Sequence, residues 1–275
     1  MLYISDLDGT LLNEKAEVSE KSVAILNDLL EQGLAFTVAT ARTHLSALPI
    51  LSGLNLTLPL VLLNGCMLLD PKDGRLIEYT AFSDSAVRAL QKAEALSELE
   101  GLLLTVQDGE LALHISNTQE EAFRKFQNGS CTVTPKAARD IFQEEIVFAM
   151  YTAREPSRLQ LIHDHLTANG GLTVDFYADR YEENRWYVEL FSTSASKKDG
   201  VLRLKELCGA EELVCFGDAP NDLPMFEVCT ESYAVENAHA DVKRAALASI
   251  GRNTESGVAR FIREHFRERN TNKKT

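Results

Sequence analysis

The sequence predicts an α/β protein: a Rossmann-like parallel sheet interrupted by an inserted α+β domain. Three observations carry that expectation. Short apolar runs alternate with amphipathic helical segments near the N-terminus. The pattern then changes style over roughly a hundred residues, a size within the usual domain range. Finally, the first style resumes and continues to a terminal helix.

Taken in order, residues 2–5 (LYIS) read as a buried strand. Ser19 can cap a helix running to Gln32, with Val23, Leu26 and Leu30 on one face, Ile25 and Leu29 beside them, and Gly33 at its end. Residues 35–39 and 60–63 read as a second and third strand, with a short helix after Thr43. From about Phe82 the insert supplies a helix, the strand-like LLLTVQDG and ELALHIS, and a polar helix over 119–126. Strands near 146–152 and 172–178 follow, then one ending in WYVELF. Near Ser196 a helix over 197–207, a strand over 213–216, the turn GDAPND, a further helix, the strand SYAVE and the helix GVARFIREHF complete the sheet domain. The expected ranges are 1–82 and 188–275 for the sheet domain and 83–187 for the insert.

Composition narrows the function. The 275 residues are 45% hydrophobic and 25% charged, as in an ordinary globular protein. A formal net charge of -13 argues against a nucleic-acid partner or an anionic membrane surface. An anionic substrate must therefore be attracted by a local cluster or a bound cation. The five cysteines include no CxxC pair and read as reduced packing residues of a cytoplasmic protein. Asp6 interrupts the apolar start, which excludes a signal peptide, and the apolar stretch 58–69 is broken at Asn64-Gly65, too short to span a bilayer.

In open α/β sheets, ligands gather beyond the carboxyl ends of the strands. Asp6 and Asp8 leave the first strand there, Thr40, Ala41 and Arg42 the second, and Asp218, Asn221 and Asp222 the strand at 213–216. The chemistry that suits this set is phosphoryl transfer. Mg²⁺ takes oxygen ligands and would relieve the repulsion between carboxylates such as Asp6 and Asp218. An Asp6 oxygen can then attack phosphorus, giving an aspartyl-phosphate. Asp8 can pass a proton to the leaving oxygen and later take one from water. The Thr40 hydroxyl and the Lys197 ammonium would hold the phosphoryl oxygens, where charge spreads in the transition state.

These motifs together resemble the haloacid dehalogenase superfamily, and within it the Cof-type sugar-phosphatase-like group. SDLDGTLL resembles the first motif, with Asp6 as nucleophile, Asp8 as general acid/base, the Asp8 backbone carbonyl as a metal ligand and Leu7 beside the phosphate. VATAR resembles the second, which implies phosphate contacts from Thr40, Ala41 and Arg42, with Ala41 in place of the common glycine. SASKKDGVLRL resembles the third. Gly200 and Val201 stand at the family's offset from Lys197, which selects Lys197 over Lys198, and Lys198 replaces a usual glycine. GDAPNDLPMF resembles the fourth, implying Asp218 and Asp222 at the metal and Asn221 near phosphate, and LNGC makes Asn64 a substrate contact.

The resemblance covers nearly the whole chain and implies a core with an α+β cap in the insert. Caps of this kind carry substrate selectivity, and His114, Tyr177, Arg180, Arg185 and Trp186 are the polar or aromatic candidates there. Cys66 stands beside Asn64-Gly65 at the expected rim. The expected activity is a Mg²⁺-dependent phosphatase of small phosphorylated metabolites such as sugar phosphates. A phosphomutase and a non-catalytic module that binds phosphometabolites are the alternatives. The sequence defines no oligomer interface.

Overall fold

The computed structural model of the protein describes residues 1–115, 141–179 and 183–272. The chain forms two compact units, one of Met1–Ile77 with Ser196–Thr275 and one of Glu78–Ala195. The helix expected over 119–126, together with Arg180 and Cys131, lies outside the described residues.

Strand β1 (Leu2–Ser5) is buried along its whole length. Helix α1 (Glu20–Glu31) starts where Ser19 accepts a hydrogen bond from the Ser22 N–H, and it buries Ile25, Leu26 and Leu29. Each such side chain contributes roughly 1.5–3 kcal/mol of transfer free energy. Then come β2 (Phe36–Val38), α2 (His44–Leu51) and β3 (Leu60–Leu62). After β3 the backbone turns through three consecutive positive φ values, 53° at Leu63, 52° at Asn64 and 95° at Gly65. Strands β4 (Met67–Leu69) and β5 (Leu76–Tyr79) form a small sheet with β3. The sequence reading passed over β4 and β5.

The second unit holds α3 (Asp84–Ser97), β6 (Leu102–Gln107), β7 (Glu110–Ile115), β8 (Glu145–Ala153), α4 (Pro156–Asn169), β9 (Leu172–Ala178) and β10 (Trp186–Ser192). Its sheet runs β7-β6-β8-β10-β9, with every neighbour antiparallel. Asp108 and Gly109, both at positive φ, make the two-residue hairpin turn between β6 and β7. Leu90 of α3 and Leu159, Ile162 and Leu166 of α4 pack in one core with Leu103, Ala149, Tyr151, Val188 and Leu190 of the strands.

Back in the first unit, α5 (Lys197–Cys208), β11 (Leu213–Gly217), α6 (Leu223–Phe226), β12 (Glu231–Val235), α7 (Ala240–Ala245), β13 (Ala248–Ile250) and α8 (Gly257–Asn272) follow. The sheet order is β13-β12-β11-β1-β2, all parallel, and a parallel bridge between Ala39 and Val61 joins β2 to β3. This is an α/β core with a Rossmann-like parallel sheet and an inserted α+β cap. Helix α8 is tied to the sheet through polar contacts: the Tyr3 hydroxyl meets His265 Nδ1 at 3.0 Å, and His265 Nε2 lies 3.2 Å from Glu231. Among the described residues, no helix is long and apolar enough to cross a membrane.

The expectation that all cysteines are reduced packing residues is corrected for one pair. Cys215 of β11 and Cys229, after α6, are joined as a disulfide with their Cα atoms 6.2 Å apart. The pair is made by the chain's return beside β11, so its spacing gave no local signal. Cys66 and Cys208 are not disulfide-bonded, and Cys66 is buried.

Two outcomes follow from these local environments. A Cβ on Gly65 would lie 1.9 Å from the Ser196 carbonyl oxygen, whereas one on Gly33, also at positive φ (90°), would meet nothing within 4 Å. Gly65→Ala should therefore cost more than about 2 kcal/mol in urea unfolding and Gly33→Ala about 1 kcal/mol. Equal losses would show that the close approach at Gly65 is unimportant. Burial pushes the His44 imidazole down to about 4, below an unfolded value of roughly 6.5. The unfolded chain therefore takes up the proton first as pH falls. Stability from this site is fully present above about pH 6.5 and is lost toward pH 4, by up to ~3 kcal/mol. His44→Gln should flatten that part of the stability–pH curve, and parallel curves for the two proteins would contradict it.

Candidate active site at the strand ends

The site begins where β1 stops. The Asp6 N–H donates to the Phe216 carbonyl at 3.0 Å, extending the β1–β11 ladder by one residue and setting Asp6 beside the end of β11. Asp218 follows β11 directly, and Asp222 lies in the turn after it. One carboxylate oxygen from each of Asp6, Asp218 and Asp222 comes within 4.8 Å of the others. Lys197, the first residue of α5 and only 1% exposed, donates from Nζ to Asp6 Oδ1 and to Asp222 Oδ1, each at 2.6 Å. Lys198 instead points to Glu227 at 2.9 Å, on the exposed side of the helix start.

Glycines make this crowding possible. Gly9 has φ 77°, and a Cβ there would sit 2.3 Å from Asp218 Oδ2. A Cβ on Gly217 would sit 2.6 Å from the Asp222 carboxyl carbon. A Cβ on Gly200 would come within 2.8 Å of the Gly65 Cα, so α5 can bring Lys197 in only by packing bare backbone on the Asn64-Gly65 turn.

The electrostatics follow from burial. Were all three carboxylates ionised, one ammonium would leave a formal charge of -2 among largely buried groups. At such a separation each carboxylate pair repels by ~3 kcal/mol for an effective dielectric of about 20. Burial pushes the Asp6 carboxyl up to about 8; the Lys197 ammonium opposes the rise and Asp222 adds to it. Burial raises Asp218 as well, against the hydrogen bond from Thr10. For Lys197, burial acts to lower the pKa, but the attraction of Asp222 and Asp6 outweighs it and the ammonium stays charged. An all-oxygen donor set with uncompensated negative charge fits a hard divalent cation such as Mg²⁺.

Asp222 also organises its own turn. Its Oδ2 accepts hydrogen bonds from the N–H groups of Asp218 at 2.9 Å and Ala219 at 3.0 Å. Asp8 stands outside the three-carboxylate group, with its side chain 51% exposed. Arg42 grips it with two hydrogen bonds of 2.6 Å. The contact with Asp8 differs from the sequence expectation, which puts Arg42 at the substrate. Thr40 is buried, its hydroxyl accepts from the Arg42 N–H at 3.2 Å across Ala41, and its carbonyl accepts from the Asn64 N–H at 3.0 Å. The Asn221 amide donates to Asn64 Oδ1 at 3.1 Å, so these two join at the same end of the sheet. Leu7 is fully buried.

Thr10 was not among the expected residues, yet it is 1% exposed and its hydroxyl donates to Asp218 Oδ1 at 2.8 Å. Its only sequence signal was its place directly after Asp8-Gly9.

Among the described residues, the cap candidates are not gathered together. His114 is buried, with Nε2 2.9 Å from the Thr105 hydroxyl and 3.1 Å from Glu144. Trp186 packs against Phe176 in a tilted arrangement, at a ring separation of 5.5 Å. Tyr177 belongs to the opposite face of the sheet, stacked on Tyr187 at 5.6 Å and donating to Glu189 at 2.9 Å. Arg185, next to Trp186, is half-buried.

Known proteins resemble this chain along nearly its whole length. The sequence matches the haloacid dehalogenase-like hydrolase family over residues 3–262. It is 30% identical over 272 residues to the pyridoxal phosphate phosphatase YbhA of Escherichia coli, covering 95% of this chain and 97% of that protein. It is 26% identical over 273 residues to the 5-amino-6-(5-phospho-D-ribitylamino)uracil phosphatase YitU of Bacillus subtilis, covering 96% and 97%. The crystal structure of TM0651 from Thermotoga maritima shares the fold, with a TM-score of 0.75 at 24% identity over 96% of each chain. With a match that runs from the first strand into the last helix, the chain belongs to the haloacid dehalogenase-like hydrolase family, in its Cof-type group.

Proposed function

We propose that this phosphoric monoester hydrolase is a Mg²⁺-dependent phosphatase of small phosphorylated metabolites, sugar phosphates or similar monoesters, working through an aspartyl-phosphate on Asp6. The observation that carries the reading is the cluster of Asp6, Asp218 and Asp222, with buried Lys197 bonded to Asp6 and Asp222 and Asp8 exposed two residues beyond Asp6. The curated relatives add support, since both act on a phosphate ester of a small metabolite, one with a ribityl chain and one with a pyridine ring.

In this reading Asp6 offers the carboxylate oxygen that Lys197 does not engage to the phosphorus. As the new P–O bond forms, the bond to the ester oxygen breaks, and the proton on Asp8 goes to that oxygen. Asp8 then takes a proton from water as the water attacks phosphorus, which frees Asp6 and releases inorganic phosphate. Arg42 fixes the direction of the Asp8 carboxyl through its two-pronged contact. The Thr40 hydroxyl accepts from the Arg42 N–H and so keeps its own hydrogen for a phosphoryl oxygen. Asn64 and Asn221 orient one another's amides, and the backbone around Leu7 and Ala41 completes the phosphate contacts. Asp6, Asp218, Asp222 and the Asp8 carbonyl would hold Mg²⁺, which supplies positive charge against the charge that develops on the phosphoryl group. Lys197 supplies a fixed charge to the same end.

The test is phosphate release from a panel of sugar phosphates, pyridoxal phosphate and aryl phosphates, with Mg²⁺ and with EDTA. Wild-type protein should release phosphate only with Mg²⁺, and Asp6→Asn should lower the rate at least about a thousandfold. Isomerised product without free phosphate would replace this reading with a phosphomutase. Ligand binding without turnover would replace it with a binding module.

A further inference from the structure

The loop that carries Asp8 is held in place by residues far along the chain. The Asn237 side-chain amide donates to the Gly9 carbonyl at 2.7 Å, across 228 positions of sequence. Asn237 Oδ1 in turn accepts from the Asn253 N–H at 3.1 Å, and the Asn253 side chain donates to the Leu12 carbonyl at 2.8 Å. Two residues after Asn237, the His239 N–H donates to the Asp218 carbonyl at 2.8 Å. The short segment 237–239 therefore grips both halves of the acidic cluster, the loop after β1 by a side chain and the turn after β11 by a backbone amide.

We propose that Asn237 is a positioning residue for the divalent-cation site, setting the separation between the Gly9 loop and Asp218. The Gly9 carbonyl and the Thr10 N–H belong to one rigid peptide plane. Fixing that carbonyl fixes where Thr10 begins, and the Thr10 hydroxyl is the donor to Asp218 Oδ1 at 2.8 Å. It also fixes the Gly9 Cα, which abuts Asp218 so closely that no Cβ fits between them. Without Asn237 the Gly9–Thr10 peptide can rotate, the Thr10 hydroxyl leaves Asp218, and the Asp8 carbonyl shifts with the loop. Partners that orient metal ligands without touching the metal commonly govern affinity in this way. Asn253 backs the arrangement by holding Asn237 and the end of the same loop.

The inference rests on the acidic cluster being a Mg²⁺ site, and its test separates the two claims. The readout is the rise in melting temperature as MgCl₂ is titrated into the full-length protein freed of metal with EDTA. Wild type should be stabilised by Mg²⁺. Asn237→Ala should raise the Mg²⁺ concentration at half-effect at least about 5-fold, as expected for the loss of one hydrogen bond. Asn253→Ser, which spares Asn237 itself, should shift it in the same direction by a smaller factor. Asn27 is the control: it makes the same kind of clasp between α1 and the loop after α2, with no contact to the acidic cluster among the described residues, donating to the Gly53 carbonyl at 2.9 Å and accepting from the Asn55 N–H at 2.9 Å. Asn27→Ala should lower the melting temperature without moving the Mg²⁺ midpoint. Unchanged midpoints in folded Asn237→Ala and Asn253→Ser overturn the inference and leave the metal site standing. A wild type that ignores Mg²⁺ overturns the reading of the site itself, and the inference with it.

Discussion

One buried ammonium among three carboxylates is the constraint on which the sheet domain's functional end depends. Lys197 is 1% exposed and shares itself between Asp6 and Asp222, each at 2.6 Å. A buried charge with partners removed costs several kcal/mol, so the strands and helices that deliver those partners must keep their positions. The sequence meets this demand with glycine at each contact where a side chain would intrude. Gly9 and Gly217 let the carboxylates approach, and Gly65 and Gly200 let α5 lie on the turn after β3. The insert leaves the sheet domain within β5, after Ile77, and the chain re-enters at Ser196, one residue before the lysine.

Charge explains how an acidic protein can handle an anionic ester. The overall formal charge of -13 repels phosphate at long range. With all three carboxylates ionised, the lysine would leave two negative charges uncompensated, a deficit that a divalent cation would match. The same surplus raises the Asp6 carboxyl, because burial and the neighbouring Asp222 both disfavour its ionised form. Cation binding and ionisation of the proposed nucleophile are thus expected to reinforce one another.

Much of this was legible in the sequence because the essential groups sit on short local runs. A strand that ends in Asp6-Leu7-Asp8-Gly9 declares both its burial and its rim, and Gly217-Asp218 does so again. Lys197 could be chosen over Lys198 because Gly200 stands three places after it, and the close approach of Gly200 to Gly65 is the physical reason for that spacing. What was missed depends on distant chain returning to the site. Asn237 meets Gly9 across more than two hundred residues, Arg42 turns to Asp8 across 34, and Cys229 meets Cys215 only because the chain doubles back. No local pattern encodes such pairings. Strand β4 escaped because it continues the apolar run of β3 beyond the Asn64-Gly65 turn, and β5 and β13 because they are partly exposed and lack the buried apolar run that marks β1 to β3.

The most direct measurement of the central claim is urea unfolding of Lys197→Met at pH 8, in EDTA and again in Mg²⁺. If the ammonium holds the carboxylates together, the variant in EDTA loses about 3–5 kcal/mol relative to wild type. Mg²⁺ then recovers part of that loss by replacing the missing positive charge. A variant as stable as wild type in EDTA would contradict the account, since the three aspartates would then tolerate one another without the lysine.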